Sequence, residues 1–163
     1  MSLTTSEAFL FLPFVLAIGL WTAFQDMKEM KITNVTVLIL AGVFLVLGWT
    51  VLPFDAYLWR LAMLVIVLII TFVMNAVGMI GGGDAKFAAA MAAYIAWGDW
   101  GFVGILFAGL LIITTFVIWT ARKTPITNLA PDWKCWSSGR HLPMGVTLGA
   151  TLILYYLLGA FAQ

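Results

Sequence analysis

Two aspartates, Asp26 and Asp84, are the side chains of this sequence with most to offer chemically. Carboxylates that meet cannot both ionise cheaply, so such a pair shares one proton. One member then acts as a base on water and the other as an acid on a carbonyl. That is amide hydrolysis without a metal or a covalent intermediate. Asp84 lies in GMIGGGDAK, Gly78 to Lys86, and an alanine-rich run to Trp97 follows it. Asp26 lies in FQDMKEMKITN, Phe24 to Asn34. The bland alternatives are a helix cap for Asp84 and a solvated loop for Asp26 and its neighbours.

The glycines before Asp84 do not make a nucleotide site. A phosphate-binding loop needs Lys after its second glycine, where this chain has Asp84. A carboxylate there repels phosphate. The dinucleotide fingerprint fails as well, because Lys86 occupies its last glycine position and no βαβ pattern surrounds it.

The elements that position these residues must sit in a bilayer. Of 163 residues, 64% are hydrophobic and only 9% charged, far from the balance of a soluble domain. So short a chain could not bury that much apolar surface in water. A net charge of +1 gives no electrostatic case for nucleic acid. The single cysteine, Cys135, excludes an internal disulfide and a multi-cysteine zinc site, and reads as an interfacial filler. The N-terminal apolar run has no preceding Lys or Arg and reads as a retained membrane helix, not a cleaved signal.

Six helices are expected: Ala8–Phe24, Asn34–Leu52, Tyr57–Val77, Asp84–Trp97, Phe102–Ala121 and Met144–Phe161. The fold class is therefore all-α, a six-span membrane protein with one integral-membrane domain over residues 1–163. The segment from Arg122 to Pro143 reads as an interfacial loop. Seven of the eight basic residues (Lys28, Lys31, Lys86, Arg122, Lys123, Lys134 and Arg140) fall on one side, and only Arg60 on the other. That bias makes the first side cytoplasmic and puts both termini outside. Both aspartates fall on the cytoplasmic side.

The fourth helix is unusual. At 1.5 Å per residue, Asp84–Trp97 reaches only about 21 Å, less than the hydrocarbon thickness. Non-helical backbone at membrane depth is tolerated only within protein or beside water. Small residues at Ala85, Ala89 and Ala93, and at Ala88, Ala92 and Ala96, permit close helix contacts. The helix is expected to be central, with Asp84 facing a recessed, watered pocket. Asp26 at a helix C-terminus and Asp84 at a helix N-terminus feel opposite dipoles, which makes Asp84 the more readily ionised of the two.

The motifs Asp26 with Lys31-Ile32-x-Asn34, Gly81-Gly82-Gly83-Asp84-Ala85-Lys86, and Leu142-Pro143-Met144-Gly145 together resemble the type IV prepilin leader peptidases. These are GxGD-type intramembrane aspartic peptidases. The length and the alanine-rich run are most similar to short members serving tight-adherence, or Flp-type, pilus systems. The resemblance implies that Asp26 and Asp84 are catalytic, and that Gly81 and Gly83 shape the loop under Asp84. It implies cleavage of the basic leader of a prepilin at the cytoplasmic boundary of a bacterial inner membrane. Asp26, Glu29 and Asp84 could in principle hold a divalent cation, but nothing in the sequence requires one, and no cofactor or metal is expected. Its implied partners are the Flp-type prepilin, the lipid bilayer and the pilus assembly machinery.

Two departures from the family pattern stand out. Thr33 replaces a common proline but still suits an N-cap. The cysteine-bearing insertion of the larger, methylating relatives is missing, so N-methylation is not expected. Near the site, Lys86 either stabilises a carboxylate or snorkels to headgroups. Asn34 and Asn75 could bond a substrate backbone, with capping the alternative for Asn34. His141 reads as a surface residue. The rival reading is a small proton- or cation-coupled transporter or channel subunit that uses the same aspartates; a noncatalytic assembly scaffold is a third.

Overall fold

The computed structural model describes residues 2–139 and 141–161, and among them it contains helices, turns and loops but no strand. Arg140, counted above among the basic residues, lies outside the described residues.

Helix α1 runs Thr5–Glu29, longer at both ends than expected. Thr4 caps it by accepting the Glu7 N–H, and nothing after Phe24 breaks it until Met30 turns left-handed at φ 53°. Asp26 is therefore inside the last turn, not at its end, and its carbonyl accepts the Met30 N–H at 2.8 Å. Helix α2, Asn34–Val51, starts at Thr33, whose hydroxyl accepts the Thr36 N–H as the capping argument required. It stops where Leu52 must be extended before Pro53. Helix α3 follows at once, Phe54–Ala76, and a turn through Gly78, at φ 77°, leads to the glycine loop.

Helix α4 is shorter than expected. It covers Gly82–Ala92 and ends five residues before Trp97. After it come helix α5, Trp100–Ala121, a single-turn α6, Lys134–Ser137, and α7, Met144–Phe161. Five segments are long and apolar enough to cross a membrane: α1, α2, α3, α5 with the turn before it, and α7. Helix α4, with 11 residues, is not one of the five.

Helix α4 stops early because the residues beyond it find other partners. Tyr94 O accepts from Arg60 Nη1 at 3.3 Å and from the Tyr156 hydroxyl at 3.0 Å. The Ala96 N–H donates to the Tyr155 hydroxyl at 3.1 Å. Asp99 accepts from the Ser2 and Leu3 N–H groups and from the Tyr155 hydroxyl. Side chains thus replace the missing helical bonds, as buried backbone requires. The segment from Gly82 to Asp99 leads from the Asp26 end of the bundle to the Ser2 end, with Ala89–Ala96 buried throughout.

The interior is built on α1, α4 and α7. Helices α1 and α7 cross closely at a glycine pair: a methyl on Gly149 would lie 2.6 Å from the Gly19 carbonyl oxygen. Small residues allow this approach where no hydrophobic effect drives helices together. Helix α4 packs among α3, α2 and α7, the central position its alanine stripes suggested. Only 11% of the apolar window of α3 and 17% of that of α5 are buried, against 56% for α7. Helices α3 and α5 therefore present their apolar faces to lipid.

At the end opposite Asp26, Arg60 forms a buried bidentate ion pair with Glu7, one bond at 3.0 Å from Nη2 to Oε2. This pair joins α1 to α3 and holds the chain after α4 through Tyr94. Removing one partner of such a pair strands a buried charge. Arg60→Met is expected to cost about 3–5 kcal/mol, read as a lower unfolding temperature in detergent. Adding Glu7→Gln to it should recover most of the loss, and a double variant as unstable as the single one would refute the pairing as the cause.

Candidate active site

The α1–α7 crossing determines where Asp26 ends up. Asp26 lies two turns beyond Gly19 on α1, and Gly145 lies one turn before Gly149 on α7, so the two meet. The Gly145 N–H donates to Asp26 Oδ2 at 2.6 Å. A Cβ at residue 145 would come within 2.8 Å of the Asp26 Cβ. Only glycine lets the helix mouth approach this closely, and Asp26 is left 3% exposed.

Asp84 comes to the same place from the other side of the bundle. Gly81 precedes α4 in extended conformation, and Asp84 stands in the first turn. Two side chains of α3 hold this turn. Asn75 Nδ2 donates to the Ile80 carbonyl at 2.8 Å, and Thr71 Oγ1 donates to the Ala85 carbonyl at 3.1 Å. Gly83 lies under the α1–α2 loop, where a methyl would fall 2.9 Å from the Ile32 carbonyl oxygen. At Gly81 a methyl would lie 2.6 Å from Asp84 Oδ2. The glycines thus serve close approach; neither Gly81 nor Gly83 has a left-handed φ.

Asp26 and Asp84 line one cavity of about 860 Å³, with Gly81, Gly83, Asn34 and Lys86 also on its wall. These six residues are therefore gathered there, and Asn75 is not on the wall. The remaining wall includes Ile32, Ile80, Ser138, His141, Leu142 and Met144. Lys86 Nζ donates to Asn34 Oδ1 at 2.9 Å, which ties α4 to α2 across the cavity mouth. Lys86 thus has a protein partner. Asn34 is the first residue of α2, and Thr33 is the cap. Asn75 Nδ2 donates to the Ile80 carbonyl, so it braces the glycine loop.

The electrostatic asymmetry expected of the pair does not carry over. Asp84 has the N-terminus of its own helix, but Asp26 has that of α7, through Gly145. Each carboxylate sits at a helix mouth that favours its anion. The sequence placed Asp26 on α1 and could not place α7 beside it. Glu29 turns outward and accepts from Lys134 Nζ at 2.7 Å. Among the described residues no three His, Cys, Asp or Glu side chains gather in a metal-holding group.

A family model described as the type IV leader peptidase family matches residues 10–119, which include both aspartates and the glycine loop. The chain belongs to the type IV leader peptidase family. No curated protein and no solved structure matches it. Membership in this leader peptidase family implies a protease whose substrate is prepilin-like and lies in a membrane. The five long apolar helices agree, and the chain is a multi-pass membrane protein.

Gly145, Thr71 and Asn75 are positioning residues of this leader peptidase whose contacts sequence reasoning did not reach. Gly145 carried a signal, since it stands in the Leu142–Gly145 motif, but its partner did not. Gly145→Ala would push against the Asp26 side chain. On the two-aspartate reading proposed below, misplacing Asp26 by about 1 Å costs on the order of 100-fold in rate, and a loss of that size in leader cleavage is expected. A cleavage rate equal to wild type would show that the Gly145–Asp26 contact is incidental.

Proposed function

We propose that this leader peptidase is an aspartic endopeptidase whose reacting groups are Asp26 and Asp84. The observation that carries the reading is that two carboxylates from separate helices, α1 and α4, line one cavity. A cavity of this size has room for an extended peptide segment together with water. The two carboxylates share a proton: one takes a proton from water as it attacks the scissile carbonyl, and the other donates to that carbonyl oxygen. Asp26 Oδ2 is held by the Gly145 N–H, which orients that carboxylate and lowers the cost of its charge. The Lys86–Asn34 bridge and the Gly81–Gly83 loop shape the mouth through which the peptide enters.

The substrate proposed is an Flp-type prepilin, cut before its hydrophobic helix. The basic residues support the orientation. Lys31 and Lys86 line the cavity, and Lys134 pairs with the end of α1. Arg60 lies at the other end, against Glu7. By the positive-inside bias the cavity faces the cytoplasm, and both termini face away from it. In this reading the run Gly82–Asp99 is a sixth crossing, shielded from lipid by α2, α3 and α7. The whole of 1–163 then forms one integral-membrane unit in a bacterial inner membrane, working beside the pilus assembly machinery. No observation favours the transporter alternative.

The test is reconstitution with a prepilin bearing its leader. Asp26→Asn and Asp84→Asn are each expected to lower the cleavage rate by at least about 10³-fold, as for groups that act as a unit. Thermal unfolding should confirm that both variants remain folded. Cleavage at the wild-type rate by either folded variant would sink the two-aspartate mechanism.

A further inference from the structure

The family match ends at residue 119, yet the cavity wall does not. Ser138, His141 and Leu142 come from the connection between α5 and α7 and line the same cavity as the aspartates. Among its described residues that connection, from Arg122 to Pro143, holds only a short 3₁₀ turn, Pro125–Leu129, and the single turn of α6. So little regular structure cannot keep a wall in place by itself.

One side chain organises it. The Arg122 guanidinium donates from Nε and Nη2 to the Cys135 carbonyl at 2.9 and 2.6 Å. Nη2 also donates to the Ser138 hydroxyl at 2.8 Å and to the His141 carbonyl at 2.9 Å, and Nη1 donates to the Gly139 carbonyl. Four residues of the connection are thus gathered on one planar fork. Ser138 adds its own bond to the His141 carbonyl at 3.0 Å, and Gly139 turns the chain at φ 61°. The far side of the connection is fastened to α1. Lys134 pairs with Glu29, and Trp133 packs edge-on against Phe24 with ring centroids 5.7 Å apart. The end of α1 that is gripped is the turn that carries Asp26.

We propose that the described residues of this connection, 122–139 and 141–143, form a cap that completes the substrate-binding wall of the aspartate cavity, and that Arg122 is the positioning residue that holds the cap closed. Arg122 touches neither aspartate. It acts through Ser138, His141 and Leu142, which line the cavity and meet the peptide there. A lysine cannot replace it, because one ammonium cannot reach the fork's several acceptors in a plane. The cap therefore governs how tightly a peptide binds, more than how fast the bound peptide reacts.

The chain carries its own probe of this closure. Cys135 is the one cysteine in the sequence, is fully buried, and bears the carbonyl to which Arg122 donates twice. Burial also pushes its thiol up from the usual range, so little thiolate forms while the cap is shut.

The experiment measures maleimide labelling of Cys135 in the full chain in lipid nanodiscs, for wild type, Arg122→Gln, Arg122→Lys and the milder Gly139→Ala. Labelling follows the population of the open cap. It should rise at least about tenfold in both Arg122 variants and about threefold in Gly139→Ala. Rates within about twofold of wild type in Arg122→Gln and Gly139→Ala, or full protection restored by lysine, would overturn the clasp.

A kinetic arm rests on the peptidase reading. With a prepilin substrate, Arg122→Gln should raise KM about tenfold and leave kcat within about twofold. A loss in kcat at unchanged KM would overturn the assignment to the binding wall. Wild-type protein that cleaves no prepilin would count against the peptidase reading alone, because the labelling arm reads the clasp without any substrate.

Discussion

Backbone polar groups removed from water must find partners within the protein, and in a chain this apolar that constraint reaches everywhere. Regular helices meet it by themselves. Among the described residues, three stretches that leave regular helix are served by specific side chains. The run after α4 is held by Arg60, Tyr155 and Tyr156. The glycine loop before α4 is held by Asn75. The connection before α7 is held by Arg122. The open N-terminus of α7 gives its Gly145 N–H to Asp26. The places where the chain departs from plain helix are thus the places that build or brace the cavity.

The same constraint links the two ends of the molecule. Helix α4 is short, so Asp84 is positioned from both sides: by α3 at its first turn and by the tyrosine and arginine bonds beyond Ala92. The buried Glu7–Arg60 pair sits at the far end from the aspartates, yet through Tyr94 it helps determine how deep α4 lies. The exposed Glu29–Lys134 pair contributes little by comparison, as surface pairs do. The role left to it is to tie the cap to α1.

Much of the architecture was legible in the sequence. Apolar length alone revealed α1, α2, α3, α5 and α7, because a bilayer leaves few options for a long uncharged stretch. Thr33 read correctly as a cap because capping depends on a hydroxyl and the next three residues. The end of α4 was misjudged because nothing between Ala92 and Trp97 disfavours helix. The helix stops there for tertiary reasons, since distant Arg60, Tyr155 and Tyr156 offer better partners. Lys86 and Asn34 were each singled out, but their bond spans 52 residues and no local pattern encodes it.

The sequence by itself determined that this chain lives in a bilayer, which two aspartates to read together, and which end of the bundle they share. Those follow from composition, charge sidedness and short motifs, all of which are local or additive along the chain. The tertiary structure alone decided that Asp26 and Asp84 face one cavity, that α7 lends its N-terminus to Asp26, and that a clasp on Arg122 closes the remaining wall. These depend on how closely helices approach. That distance is set by single glycines such as Gly19, Gly83, Gly145 and Gly149 meeting residues far away in the chain. A glycine's partner is not written beside it, so its meaning appears only when the chain is folded.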